Sequence, residues 1–258
     1  SDRIGHFAGN TELYLCELKA GINKPYSKFI DLFFLSGKIS NQQLYKMWKR
    51  KLIILPKFLL FPIYDLTYIL PGGYKNRVSG PSCRDRDVHN LIDKYPANLK
   101  FTKKEEQLGE TILKSYGIKK NDKFICLNVR DSAFLSHKNY NYHSYRDCSI
   151  NNYKYTAEKL ANLGFFVIRM GANVQKKLLS NNQKIIDYAY DGKRSDFMDI
   201  FLGSRCYFSI STSTGWDCIP YIYRKPIVYA PVQPINNSFT FSKKFIAIFK
   251  HHIIIKEN

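Results

Sequence analysis

The sequence predicts an α/β protein whose later half is a parallel sheet wrapped by helices. Two observations carry this reading. From Lys123 onward, short apolar runs alternate regularly with helical segments. Within that half, RSDFMDIFLGSRCYFSISTSTGWDCIPYIYRKPIVYAP at 194–231 reads as helix, strand, polar loop, helix, strand. Such alternation implies parallel strands joined by right-handed crossovers. At 258 residues and 45% hydrophobic, the chain can bury a sizeable core in one large domain or two ordinary ones. The expected organisation is two Rossmann-like lobes with parallel sheets facing a cleft, at 1–118 and 119–258, the first being less regular.

Taken in order, residues 1–17 open with a Gly-containing turn that leads into a helix near Thr11. The apolar block 29–35 reads as a buried strand, 41–50 as an amphipathic helix and 52–55 as a second short strand. Residues 56–71, PKFLLFPIYDLTYILP, are apolar but interrupted by proline and Asp65, and fall short of the ~20 residues of a spanning helix. A core helix pair is the favoured reading. With Lys46, Lys49, Arg50, Lys51 and Lys57 just before it, contact with a membrane interface is the alternative. Residues 72–86, rich in Gly, Pro, Ser, Lys and Arg, form a loop.

Thr102 and Glu105 make a capping box that opens a helix over 103–116, closed by Gly117. Strands are expected at 124–129, 165–170, 184–189, 206–210 and 226–230. Helices are expected at 152–163, closed by Gly164, at 173–180, and from Ser195, an N-cap with Asp196 and Asp199 in its first turn. A further helix starts within 211–215 and stops near Pro220. The long stretch 132–141 reads as a binding loop.

The net charge of +19, from 40 Lys+Arg against 21 Asp+Glu, would attract nucleic acid, anionic lipid or phosphorylated substrates. No basic tail, RNP-like strand or finger spacing points to a nucleic-acid module. The six cysteines (16, 83, 126, 148, 206, 218) show no metal-ligand rhythm, which suits a reduced, cytosolic setting. No signal peptide is visible, and the first residue is not Met, so the chain is expected to be a processed or excised piece.

Parallel strands bring their carboxyl-end loops to one sheet edge, where ligands bind in open α/β folds. The later half places there Asn128, Arg130 and Asp131; Arg169 and Gly171; Ser195 and Asp196; and Ser211, Ser213, Thr214 and Gly215. Two arginines beside a hydroxyl-rich helix start suit a diphosphate, because guanidinium holds phosphate oxygens in a charged fork. A surface ion pair of Arg130 with Asp131, an Arg169 that merely snorkels, and an unliganded helix cap explain the same residues. Neither G-x-G-x-x-G nor a P-loop is present. Asp85 and Asp87 flank Arg86, but in a basic loop, so no D-x-D metal pair is assigned and no cofactor is expected. In the earlier half, His6, Asn10 and Glu12 share one turn, and an imidazole there can take a proton from an acceptor hydroxyl. His143 and Arg146, in a second polar cluster, are further acceptor-side candidates.

These motifs resemble a family of bacterial glycosyltransferases encoded with surface-polysaccharide and lipopolysaccharide genes. The resemblance rests on FICLNVRDSAFL, YHSYRDCSI, VIRMG, RSDFMDIFL and SISTSTGWDCIP, and on RIGHFAGNTELYLCELKAGIN and FFLSGKISNQQLYKMWKRKLIILP nearer the start. It implies a GT-B enzyme: two Rossmann-like lobes, with a nucleotide-sugar donor held mainly by the second and a glycan or lipid-linked acceptor. Such enzymes generally need no metal. The NVRD turn is also similar to the strand end of fucosyltransferase-like enzymes, where the Arg serves the donor diphosphate, a role that would fall on Arg130. Donor contacts would fall on Ser195, Asp196, Ser213, Thr214 and Gly215, and His6 or Asp131 would be the base. By the same analogy, transfer would invert the anomeric carbon. The resemblance also implies a cytoplasmic enzyme at the inner face of the plasma membrane. GT-B chains usually run on into a helix that crosses back to the first lobe, so a truncation of the second lobe is expected. Two rival readings are a non-catalytic basic module binding nucleic acid or anionic membrane, and an epimerase or hydrolase on the same scaffold.

Overall fold

In a computed structural model, residues 2–22, 24–25, 28–77, 86–135, 144, 146–232, 239 and 241–250 are described. The later half forms a six-stranded sheet, all parallel. Its strands are β3 (Phe124–Asn128), β4 (Phe166–Met170), β5 (Ile185–Ile186), β6 (Ser209–Ser211), β7 (Ile227–Val232) and β8 (Phe245–Phe249), in the spatial order β5-β4-β3-β6-β7-β8. Numbered from its own first strand, this is the 3-2-1-4-5-6 order of a doubly wound Rossmann sheet. The order reverses between β3 and β6, where Asn128 is in register with Ser211.

Helices cover the sheet as the alternation requires. α5 (Lys103–Ser115) starts at the Thr102–Glu105 capping box and ends where Gly117 turns left-handed at φ +79°. α6 (Lys154–Asn162) ends before Gly164, and α7 (Asp196–Arg205) is capped by the Ser195 side chain, which accepts from Met198 N. Ile125, Leu127 and Val167 pack with α6, while Cys126, Ile168 and Met170 pack with Met198, Phe201 and Leu202 of α7. Cys126 and Cys206 are buried free thiols, as their apolar surroundings imply.

Three expectations about the later half change. Residues 173–180 are not helical. The buried Arg169 guanidinium bonds the Lys176 carbonyl, Asp187 accepts from Leu178 N and Asp131 accepts from Gln175 N. Side chains thus take the backbone groups a helix would have paired. The helix expected to start within 211–215 starts later: a tight turn, Gly215–Asp217, leads into α8 (Cys218–Ile222), which ends two residues past Pro220, a proline in the first turn, where a missing N–H costs nothing. Strand β8 was not anticipated.

The earlier half differs more. The expected second Rossmann-like sheet is represented, among the described residues, by two strands of two residues, β1 (Leu32–Phe33) and β2 (Ile53–Ile54), paired in parallel. The block 29–35 is not a buried strand, since Ile30 and Leu32 are exposed. Around this pair lie α1 (Thr11–Lys19), α2 (Gln42–Lys49), α3 (Lys57–Ile69) and the short α4 (Leu91–Lys94). α2 is capped by Asn41, whose side chain accepts from Leu44 N. Its Leu44, Met47 and Trp48 share a buried cluster with Phe7, Ile200 of α7 and Ile219 of α8. The core helix pair expected at 56–71 is one helix, α3, with Leu60 as its buried residue.

Candidate functional site at the strand switch point

The backbone at the β3/β6 junction is locked by hydroxyls. Thr212 N donates to the Asn128 carbonyl at 3.2 Å, and Arg130 N donates to Thr212 Oγ1 at 2.9 Å. Asn128 Nδ2 reaches Thr214 Oγ1 and, at 3.2 Å, Asp217 Oδ1. Asp217 Oδ2 accepts from Thr214 N at 2.6 Å, and Ser211 Oγ accepts from Ser213 N at 3.1 Å. Ser213 is held left-handed at φ +66°, a costly conformation for a residue with a Cβ. Burial pushes the Asp217 carboxyl up to about 6, against the hydrogen bonds from Ser211, Thr214 and Asn128.

This corrects one expectation. The amides of residues 212–214 do not stand open to an anion, because each already has an internal acceptor. What the turn presents outward is the exposed Gly215 and the half-buried Ser213 and Thr214, while Ser211 lies beneath.

Arg130 extends from the same junction. Its side chain is 8% exposed, its Nε donates to Asp147 Oδ1 at 2.9 Å, and one terminal nitrogen is buried with no partner among the described residues. The alternative reading, a surface pair with Asp131, is not formed. Asp131 Oδ1 accepts from Ala133 N and Oδ2 from Gln175 N, both at 2.9 Å, with Arg169 4.0 Å away. Both oxygens are thereby engaged, which suits a loop clamp and not a base.

Arg169 is also placed differently from expectation. It has no exposed side-chain surface and pairs with Asp187 at 3.1 Å. It holds the fold and cannot touch a donor without unpacking. Gly171, at φ +157°, follows it; a Cβ there would stand 2.8 Å from Val174 Cγ1, so the turn needs glycine. Beside it, at the carboxyl edge, Ala133, residues 172–174, Ala189, Tyr190 and Gly192 line an open cavity of about 410 Å³. Ser195 and Asp196 join helix ends: Asp196 Oδ2 accepts from Gln42 N at 2.7 Å, and its carbonyl accepts from Asn41 Nδ2. These contacts give both residues a packing role. Asp199, below them, is paired with Arg194 at 2.5 Å, and burial raises its carboxyl to about 6.

The turn carrying His6 is helical, a single π-type turn (His6–Asn10) running straight into α1. Such turns are frequent at functional sites. Gly5, just before it, meets Gly215 backbone to backbone: a Cβ on Gly5 would lie 3.0 Å from the Gly215 carbonyl oxygen. His6, the next residue along, is exposed, with the Asn10 amide 3.4 Å from its Nδ1. Glu12 does not join them. It is fully buried, accepts from Asn98 N and pairs with Arg224 at 2.6 Å, so its place on the acceptor side is corrected to a structural one. Arg146 is half-buried beside Asp147. His143 lies outside the described residues, as does Asp85; Asp87 caps α4 through Leu91 N and Ile92 N.

Sequence reasoning missed Asp217, Asp147 and Gly5. The D-x-x-P spacing after the serines hints at a cap for Asp217, but nothing local pairs Gly5 with Gly215.

No protein-family model and no curated protein matches the chain. Among solved structures, it is similar to the crystal structure of the glycosyl transferase family 9 from Veillonella parvula DSM 2008. The TM-score is 0.56, over 94% of this chain and 83% of that one, at 11% identity. At that identity the likeness is one of fold, and it spans both halves of the chain.

Proposed function

We propose that the protein is a GT-B-type glycosyltransferase that moves a hexosyl or deoxyhexosyl group from a nucleotide-sugar donor to a hydroxyl of a glycan or glycolipid acceptor in surface-polysaccharide synthesis. The observation that carries this is the meeting, at the β3/β6 switch point, of Arg130, the 211–215 turn and the His6 turn. The fold shared with a glycosyl transferase family 9 protein supports it.

In the proposed reaction the acceptor oxygen bonds to the anomeric carbon as the bond to the diphosphate oxygen breaks, inverting that carbon. The departing diphosphate gains charge, and the partly partnered Arg130 guanidinium is the cation placed to receive it. His6 takes the acceptor proton on the ring nitrogen that carries no hydrogen, Nδ1 lying 3.4 Å from the Asn10 amide nitrogen. Asp217 holds the turn without touching substrate. No metal takes part in this scheme.

A melting-temperature panel with ADP, UDP, GDP and CMP tests the reading. One nucleotide is expected to stabilise the wild type, by ~2.7 kcal/mol at a hundredfold excess over its Kd, and to leave Arg130→Ala unmoved. No shift with any nucleotide, together with salt-sensitive binding to random DNA, would support the basic binding module instead.

A further inference from the structure

We infer that α3 is a membrane-contact helix that lies in the plane of an anionic bilayer surface. In a helix of a water-soluble protein the apolar stripe faces the core. In α3 it faces outward. Leu60 is buried, and Tyr64, on the same side at 3.6 residues per turn, packs against Phe34. Opposite them and along one flank stand Phe58, Leu59, Ile63, Leu66, Ile69 and Leu70, all exposed, Phe58 by 75% and Ile69 by 81%. Pro62 sits among them and is also exposed. No charged residue interrupts that face, because Asp65 lies at its flank. A contiguous apolar surface of this kind marks a protein or membrane contact.

The charges around it choose the partner. Lys49 and Lys51 precede the helix, Lys57 opens it with its ammonium over the Phe61 ring, and Lys75 and Arg77 follow, Arg77 stacked on Tyr68 at 3.8 Å. An apolar face rimmed by cations complements anionic headgroups over acyl chains. A second copy of this chain would bring the same basic rim against it, in a protein of net charge +19. No described helix is long and apolar enough to cross a membrane. At 13 residues α3 extends about 20 Å, short of the ~30 Å hydrocarbon core, so it lies flat.

The test is flotation of the full chain with phosphatidylcholine vesicles, with and without phosphatidylglycerol. The wild type is expected to float with the anionic vesicles and to be released by raised salt. L66D/I69D, both on the outward face, is expected to keep the wild-type melting temperature and bind at least about tenfold more weakly. In a second measurement, Phe58→Trp emission should shift to the blue on vesicle addition. Failure of the wild type to float, equal flotation of the double variant, or an unshifted Trp spectrum would overturn the inference. So would gel filtration showing a wild-type dimer that L66D/I69D splits while vesicles are ignored. Vesicle binding is read without nucleotide or sugar, so it stands or falls apart from the transferase proposal.

Discussion

Two neighbouring strand ends of one sheet carry an arginine each, and the protein uses them in opposite ways. At the β4/β5 end, Arg169 is sealed from water and faces two carboxylates, Asp187 at 3.1 Å and Asp131 at 4.0 Å, while bonding the Lys176 carbonyl. At the β3/β6 end, Arg130 keeps some exposed surface and stands beside a turn whose own buried acid is Asp217; among the described residues Arg130 has one carboxylate partner, Asp147, and Asp217 has no cation in contact. The first junction is matched in charge, although Arg169 Nε and Nη2, like Arg130 Nη2, have no hydrogen-bond partner among the described residues. The second has fewer carboxylates around its cation, which is why the proposed donor site is put there.

The largest effect should come from breaking the charge-matched end. Arg169→Leu leaves Asp187 and Asp131 buried without their cation, a loss of the order of 3–5 kcal/mol. Thermal melting should show it, with nucleotide adding little back. At the other end, Arg130→Ala should cost ~1 kcal/mol or less in stability, since Asp147 is part-exposed. Nucleotide-dependent stabilisation should vanish, and transfer measured with labelled donor should fall about 10²–10³-fold. If the two variants exchange these signatures, the division between a structural and a ligand-facing arginine is wrong.

A pH series sharpens the contrast. Burial raises Asp217 and Asp199 to about 6 from the ordinary 3.8, so the folded protein binds protons the unfolded chain has released. Folded protons in excess mean that stability falls as pH rises from about 4 through about 6, and stays lower above. Glu105 acts in the other direction. Its hydrogen bonds from Arg50, Thr102 and Gln43 outweigh burial and lower it to about 2, so its contribution is present above its ordinary 4.5 and lost below. Melting should therefore be highest near pH 4 and lower at pH 8, by an amount on the order of 3 kcal/mol. Nucleotide bound beside Asp217 should steepen that slope, because a second anion raises the carboxyl further.

How much of this was legible followed contact range. Thr102 with Glu105, Ser195 with Met198 and Gly117 act within one turn, and the sequence showed each of them. The strand alternation was equally readable, because every buried parallel strand leaves a short apolar run. Residues 173–180 were not, since Arg169 and Asp187 reach in from elsewhere to take their backbone groups. α3 was misjudged for a related reason: periodicity shows that one face is apolar but not whether protein or solvent meets it. The candidate site divided the same way. Its strand-end residues were found from topology, whereas the partners that decide their roles, Asp147, Asp187, Arg224 and Asp217, come from other segments.

The smallest effect is also the most local. Gly5→Ala places a methyl carbon 3.0 Å from the Gly215 carbonyl oxygen and 3.1 Å from its Cα, both backbone atoms that cannot rotate away. The His6 turn must then retreat a few tenths of an ångström, at ~1 kcal/mol or somewhat more. If His6 works on a substrate held by the 211–215 turn, that displacement should lower kcat more than it raises donor KM, because the proposed scheme gives the diphosphate to Arg130 and not to the His6 turn. Gly9→Ala is the control: its Cβ would meet the Cys218 side chain, 3.2 Å away at Sγ, and no backbone atom. Equal losses of activity in the two variants would show that the glycine contact serves packing alone, and His6 would then lose its place in the reaction.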